Sequence, residues 1–138
     1  MQHRLRSQLG ELRHPELSTE RSRRGRRGEE LAADHLLARG FSIEGTNVRV
    51  GRLELDLVAT KDDLVIIVEV RVRGAGSFQS ALASVDRKKQ ERIVRAARTL
   101  YRDRYDARGM RLRFDVVAID EDASGAIAIT HVEGAFTA

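Results

Sequence analysis

Cysteine is absent from this 138-residue sequence, and proline occurs once, at Pro15. The lack of cysteine excludes disulfide bridges and thiolate metal sites, and it fits a reducing cytosol. No apolar run approaches the roughly 20 residues that a transmembrane helix needs. The basic N-terminal region has no apolar stretch after it, so we expect neither a secretory signal nor a twin-arginine signal. These absences predict a cytoplasmic protein that does not enter the membrane.

The positive charge of the chain is concentrated near its N-terminus. Residues 1–27 contain eight Arg and three Glu, whereas the rest of the chain contains 17 basic and 18 acidic residues. The run Arg21-Ser22-Arg23-Arg24-Gly25-Arg26-Arg27 suits contacts with phosphate groups. A disordered extension that only improves solubility would have the same composition.

Hydrophobic periodicity predicts one α/β domain over residues 24–138, after a disordered basic tail over residues 1–23. Apolar residues at helical spacing predict a first helix from Arg27 to about Arg39 and a second from about Asp86 to Tyr105. Alternating and β-branched segments predict five strands, at Phe41–Val50, Leu53–Thr60, Leu64–Arg73, Leu112–Ile119 and Ala126–Val132. The resulting order, α-β-β-β-α-β-β, predicts a mixed sheet covered by helices.

The second and third strands carry two acids whose relative position depends on the turn between the strands. If Asp62-Asp63 is a two-residue hairpin loop, Lys61 faces Leu64 and Asp56 faces Glu69. Directly opposed residues point to the same face, with Cβ atoms roughly 4.5–5.5 Å apart. Two carboxylates there repel by roughly 3–4 kcal/mol at an effective dielectric near 20. A divalent cation between them turns that repulsion into binding.

The sequence also permits an acid pair that binds no metal. One carboxylate could carry a proton, or Arg71 and Arg73 could form ion pairs with both acids. The turn register is itself an assumption, because a slip of one residue would separate Asp56 from Glu69. The same segment alternates Leu53, Leu55, Leu57 and Ala59 with Glu54, Asp56 and Val58, which is the pattern of a strand.

A third acid, Glu29, falls on the apolar face of the first helix, three and seven residues before Ala32 and Leu36. An acid in the first turn of a helix is also explained by the helix dipole alone. Gln90 begins the apolar face of the second helix in the same way, and a glutamine at the edge of the core is the usual explanation.

Seven segments of the chain resemble, in order, the motifs of a known family. The first three are Arg27-Gly28-Glu29-Glu30-Leu31-Ala32-Ala33 (G-E-x-x-A), Gly40-Phe41-Ser42-Ile43 (G-Y-x-I) and Asn47-Val48-Arg49 (N-x-R). The next two are Glu54-Leu55-Asp56-Leu57-Val58 (G-E-I-D-L-I) and Val68-Glu69-Val70-Arg71-Val72-Arg73 (V-E-V-K-x-R). The last two are Val85-Asp86-Arg87-Lys88-Lys89-Gln90, which resembles a K-Q helix, and Arg113-Phe114-Asp115-Val116-Val117 (R-F-D-V-V). The family is the YraN family of bacterial proteins, largely uncharacterised and related to archaeal Holliday junction resolvases.

The resemblance implies a restriction-endonuclease-like fold and a metal-nuclease site. Carried over to this sequence, the catalytic pattern falls on Glu29, Asp56 and Glu69, with Arg71 at the position of a lysine. The three acids would hold Mg²⁺ or Mn²⁺ together with the main-chain carbonyl of Val70. The resemblance also implies auxiliary roles for Glu54 and Gln90, and resolvase relatives suggest a homodimer.

Two residues depart from the family pattern. Leu53 stands where the family usually has glycine, which affects close approach of a backbone or ligand beside Glu54. Arg71 stands where the family has lysine. A lysine at that position would orient the attacking water and help to deprotonate it. An arginine stays charged and cannot act as a base, although it can stabilise the charge that develops on a phosphate. Lys88 or Lys89 of the second helix could take the place of the missing lysine.

The leading hypothesis is a metal-dependent endonuclease that acts on DNA, with branched DNA as a candidate substrate. Phosphate contacts are expected from the arginines of segment 21–27 and from Arg49, Arg73, Arg87, Lys88 and Lys89. Only six residues are aromatic, so base stacking is not the expected mode of binding. The alternatives are a nucleic-acid-binding module that has lost catalysis, to which Arg71 points, and a scaffold whose basic helix docks an acidic protein.

Overall fold

A computed structural model of the chain describes residues 20–75 and 79–138. Helix α1 spans Glu20–Ala38 and helix α2 spans Arg87–Arg104, and a short 3₁₀ helix covers Asp106–Arg108. The strands are β1 Ser42–Val50, β2 Leu53–Lys61, β3 Leu64–Arg73, β4 Arg111–Glu121 and β5 Ile127–Phe136. The predicted order α-β-β-β-α-β-β is therefore confirmed.

The five strands form one mixed sheet in the order β1-β2-β3-β4-β5. Neighbouring strands are antiparallel except β3 and β4, which are parallel because α2 carries the chain from the end of β3 back to the start of β4. A mixed sheet flanked by helices in this order is consistent with the restriction-endonuclease-like fold that the family resemblance implies.

The sheet separates two hydrophobic cores, one beneath each long helix. The core on the α1 side is formed chiefly by Ala32, Leu36, Phe41, Leu57, Ala59, Ile66, Val68 and Ile119. The core on the α2 side is formed chiefly by Leu55, Val58, Val65, Ile67, Ile93, Ala97, Leu100, Phe114 and Val116. Because both faces of the sheet are covered, the central strand β3 is apolar on both faces, which explains its β-branched run.

The β2–β3 hairpin has the predicted two-residue loop. Lys61 pairs with Leu64, and the register continues without a slip to the pair Leu57–Val68. Asp62 adopts a positive φ of 55°, a backbone conformation that Asp tolerates better than most residues and that tight hairpin loops require. The ladder ends at that pair, and the next residue on each strand is Asp56 on β2 and Glu69 on β3.

Strand β2 contributes apolar side chains to both cores. Leu55 and Val58 belong to the core beneath α2, whereas Leu57 and Ala59 belong to the core beneath α1. The change of face occurs at Asp56, and the opposite residue of β1, Asn47, has a positive φ of 50°. A kink at this pair rotates the strand and leaves the Asp56 side chain where the ladder is broken.

Helix α1 begins at Glu20, seven residues before the predicted start at Arg27. Gly28 lies where the helix crosses β3, and a Cβ atom there would fall well inside van der Waals contact with Cγ2 of Val72. Glycine therefore allows the helix to approach the sheet closely beside Glu29. Most of the predicted tail, residues 1–19, lies outside the described residues. Within the part that is described, no helix is long and apolar enough to cross a bilayer.

Candidate metal and nucleic-acid site

A cleft of about 360 Å³ opens beside α1, where the pairing of β2 with β3 ends. Its lining residues are Arg24, Gly25, Glu29, Asp56, Glu69, Val70 and Val72. Three acids that were predicted from the sequence, from α1, β2 and β3 respectively, thus lie on the walls of one cleft. The same cleft contains Val70, whose carbonyl group the family resemblance had added to the set.

Asp56 and Glu69 form the centre of this site. The Asp56 carboxylate accepts a hydrogen bond of 2.9 Å from the main-chain N–H of Val70, which holds it beside Glu69, the preceding residue of β3. Glu69 is only 4% exposed. Burial, followed by the nearby charge of Asp56, raises the pKa of Glu69 to about 8, although Lys89 and Arg71 act in the opposite direction.

Two cations approach Glu69 from different elements. Nζ of Lys89, on α2, lies 3.6 Å from Oε2 of Glu69, and Nη1 of Arg71, on β3, lies 4.0 Å from the same oxygen. Both side chains are partly exposed, so neither contact is a tight internal ion pair. The lysine that the motif lacks on β3 is thus present beside Glu69, supplied by the helix.

Glu29 has a specific partner in the kinked part of β1. Nδ2 of Asn47 donates a 3.0 Å hydrogen bond to Oε1 of Glu29. Because α1 begins at Glu20, Glu29 is the tenth residue of the helix rather than a first-turn acid. The helix dipole acts within the first turn and therefore does not explain this residue.

The donor set fits a hard divalent cation, because it consists of carboxylate oxygens and a main-chain carbonyl rather than sulfur or imidazole. Two acids held together in a buried place, with a strongly raised pKa at one of them, are the surroundings that such an ion would relieve. Among residues 20–75 and 79–138, however, no three His, Asp or Glu side chains are grouped closely enough to hold an ion. A metal site here would therefore depend on the pair Asp56 and Glu69, with Glu29 at the cleft wall.

The two residues with predicted auxiliary roles lie away from the described lining of the cleft. Glu54 is exposed on β2 and makes a 4.0 Å ion pair with Arg49, which is its direct partner on β1. Gln90 donates a hydrogen bond of 3.0 Å from Nε2 to the carbonyl oxygen of Val85, at the start of α2. Glu54 therefore pairs with β1 instead of lining the cleft, and the bond to Val85 gives Gln90 a local structural role.

The predicted phosphate contacts differ in their surroundings. Arg87 and Lys88 are exposed, and Arg49 is exposed as well but lies 4.0 Å from Glu54. Arg73 instead forms a bidentate ion pair with Asp120, at 2.7 and 3.0 Å, and its pKa is raised by that hydrogen bonding. The charge of Arg73 is thus neutralised by Asp120 within the fold. From segment 21–27, Arg24 reaches the cleft itself.

Sequence reasoning missed Asn47 as a neighbour of Glu29, and it missed a buried network at the other side of α1. In that network His35 contacts His131 at 3.1 Å, and His131 contacts Asp115 at 2.8 Å. Arg113 also makes two 2.8 Å hydrogen bonds to Asp115. Asn47 belongs to the N-x-R motif and Asp115 to the R-F-D-V-V motif. These motifs were the signals in the sequence that pointed to the two residues.

Comparison with known proteins identifies close relatives over most of the chain. The model of the Uncharacterised protein family UPF0102 matches residues 28–119. A UPF0102 protein of Sorangium cellulosum is 41% identical over 114 residues, which cover 81% of this chain and 79% of that protein. One from Myxococcus xanthus is 40% identical over 119 residues, covering 86% and 93%, and one from Pseudomonas paraeruginosa is 35% identical over 116 residues, covering 83% and 93%.

Proposed function

The chain belongs to the uncharacterised protein family UPF0102, and from this premise we propose that it is a metal-dependent endonuclease that hydrolyses DNA. This membership bears out the resemblance to the YraN family that the motifs indicated. The family description names no activity, so the proposal rests on the cleft. The observation that carries it is the meeting of Asp56 and Glu69 in that cleft, where one of the two acids is almost fully buried.

Asp56 and Glu69 would hold Mg²⁺ or Mn²⁺, with Glu29 and the Val70 carbonyl as further oxygen donors. A bound divalent ion supplies a water of lowered pKa and positive charge for the phosphate that is attacked. The Val70 N–H keeps the Asp56 carboxylate in the cleft, and Asn47 keeps Glu29 at its wall. Fixed oxygen donors of this kind need little reorganisation when substrate binds.

Lys89 takes the role that a lysine on β3 has in related sites. Its Nζ lies beside Glu69, where it can orient a water at the floor of the cleft, and a lysine can also transfer a proton. Arg71 keeps its charge and therefore stabilises the negative charge that develops on the phosphate. Arg24 lines the same cleft and provides a contact to a neighbouring phosphate.

A non-catalytic nucleic-acid-binding module is the second candidate, and Arg71 is the observation that favours it. If the lysine of the motif has to be on β3, then Lys89 does not replace it and the chain binds DNA without cutting it. This candidate shares the basic surfaces of the first one and differs from it only in turnover.

The test is cleavage of supercoiled plasmid and of a four-way DNA junction in Mg²⁺ and in Mn²⁺. We expect the wild type to cut, and Asp56→Asn to lose activity by about a hundredfold or more, because a metal ligand is removed. Glu54→Gln is the matched control, since it removes an exposed carboxylate from the same strand. DNA binding without cleavage in either metal would establish the second candidate, and full activity of Asp56→Asn would exclude this site.

A further inference from the structure

The outer side of α2 forms one wall of a groove of about 600 Å³, separate from the cleft. Its other wall is formed by Thr137 and Ala138, after the end of β5. Three arginines of α2 line it, namely Arg87, Arg95 and Arg98, together with the single acid Glu91. The groove is therefore a basic channel along the length of the helix.

The groove arginines differ from the arginines that stabilise the fold. Arg73, Arg111 and Arg113 each make two hydrogen bonds to one carboxylate, on Asp120, Asp63 and Asp115 respectively. By contrast, Arg87, Arg95 and Arg98 are exposed, and in the described part of the chain none of them has a carboxylate within ion-pairing distance. A row of cations that the protein leaves without internal counter-charges is suited to an external polyanion.

We propose that this groove binds the phosphate backbone of a duplex DNA arm that extends from the cleft. The identity of the polyanion as DNA rests on the proposed function, whereas binding in the groove does not require cleavage. From Arg87 to Arg98 the helix rises by roughly 16 Å, at about 1.5 Å per residue, which spans several phosphates of one DNA strand.

The first turn of α2 is close to both the groove and the cleft. Arg87 lines the groove, and Lys89, two residues later in the first turn of α2, contacts Glu69 at the cleft. One turn of helix therefore borders both surfaces. A duplex with one phosphate at Asp56 and Glu69 can lie along α2 and contact Arg95 and Arg98 farther on.

The lining of the groove favours a duplex over a single strand. Proteins that bind single strands combine basic grooves with aromatic side chains on which bases stack. The described lining of this groove is mainly charged and polar, with Val94 and Ala138 as its apolar residues, and it has no aromatic ring. Contacts to the backbone, which a duplex presents on its outside, are the interactions that such a lining can make.

The decisive experiment measures duplex binding in EDTA, so that cleavage plays no part. Arg95→Gln/Arg98→Gln should weaken binding of a 20-base-pair duplex by roughly tenfold or more and make the slope of log K against log salt about 1.8 less steep. Glu91→Gln removes the one negative side chain of the groove and should tighten binding. Thermal unfolding of each variant checks that these exposed substitutions leave the fold intact.

Arg39→Gln/Arg52→Gln is the matched control. It also removes two positive charges from exposed side chains, in the α1–β1 and β1–β2 connections, and neither residue lines the groove. An equal loss of affinity in both double variants would overturn the proposal that the groove binds DNA, because net charge alone would then explain binding. Tighter binding of a single strand than of the duplex, with the same dependence on Arg95 and Arg98, would also overturn it. Because every arm of this test is measured in EDTA, loss of the groove effect and loss of cleavage are separate outcomes, so failure of the groove and failure of catalysis are distinguishable.

Discussion

Glu69 and Asp115 are the two acids that the described fold buries, and their surroundings differ. Asp115 accepts hydrogen bonds from His131, from Arg113 and from the Gly134 N–H, and these hold its pKa below the usual value although burial acts to raise it. Glu69 instead faces another acid. A buried carboxylate with full hydrogen bonding is a structural element, whereas one that is opposed by a second carboxylate is typical of functional sites.

Glu69 makes the stability of the metal-free protein depend on pH. Its pKa is about 8 in the folded state and near its ordinary value, 4.5, in the unfolded chain. The folded state therefore binds the proton more tightly, so this contribution to stability is fully present below about pH 4.5 and is lost as the pH rises through about 8. Urea unfolding in EDTA should show the free energy of unfolding falling between about pH 5 and pH 9 in wild type, relative to Glu69→Gln. Parallel pH profiles for the two proteins would contradict this assignment.

The roles of Lys89 and Arg71 in cleavage can be distinguished by moving the lysine from α2 to β3. Lys89→Ala should lower the DNA cleavage rate by roughly a hundredfold, because proton transfer and water orientation at Glu69 are lost. Lys88→Ala is the control, as it removes the same charge from an exposed position next to it. Adding Arg71→Lys to Lys89→Ala should restore part of the rate by placing a lysine on β3. No rescue, or an equal effect of Lys88→Ala, would show that Lys89 acts only through charge.

At the level of residues, the pair Asp56 and Glu69 was predictable because a two-residue loop determines every facing pair of a hairpin. The neighbours of the pair were not predictable in the same way. The contact of Lys89 with Glu69 depends on how α2 crosses the sheet, and that of Asn47 with Glu29 depends on a local positive φ. The strand pattern also gave no sign that the kink at Asp56 would leave Glu54 paired with Arg49.

Among the elements, α1 shows how a helix is brought close to the sheet. Gly28 meets Val72, whereas a Cβ atom at Gly25, one turn earlier, would have nothing within 4 Å. Alanine is the better helix former of the two residue types, so Gly25→Ala should stabilise the protein by about 0.5–1 kcal/mol. Gly28→Ala should destabilise it by about 1–3 kcal/mol, because the added methyl group overpacks the contact with a stiff β-branched side chain.

Urea unfolding of the two alanine variants measures this difference directly. Stabilisation by both substitutions would mean that α1 does not pack closely against β3. A loss of metal binding in Gly28→Ala but not in Gly25→Ala would further indicate that the close approach positions Glu29.

The limits of the first four strands followed from the sequence to within two residues, whereas β5 continues to Phe136 instead of ending at Val132. The start of α1 did not follow from the sequence, since residues 20–27 are nearly all polar and leave no hydrophobic period to detect. Helix α2 was easier to place, because its buried residues Ile93, Ala96, Ala97 and Leu100 lie on one face and Asp86 caps its first turn.

Across the whole molecule, the order of elements was predictable because each segment has a clear period, and the parallel pairing of β3 with β4 follows from the helix between them. The sites were harder to predict from the sequence, because they combine residues from distant parts of the chain. The network of His35, His131 and Asp115 joins α1 to β4 and β5, and the cleft joins α1 to β2 and β3.

The proposal of a nuclease requires first of all that the cleft binds a divalent ion, which calorimetric titration of the purified protein with Mn²⁺ at about pH 8 measures directly. Wild type and Glu54→Gln should bind one ion with the same affinity, while Asp56→Asn should bind at least about thirtyfold more weakly, because one of the charged ligands is lost. Equal Mn²⁺ affinity in wild type and Asp56→Asn, or no binding to wild type at millimolar Mn²⁺, would contradict a metal site between Asp56 and Glu69.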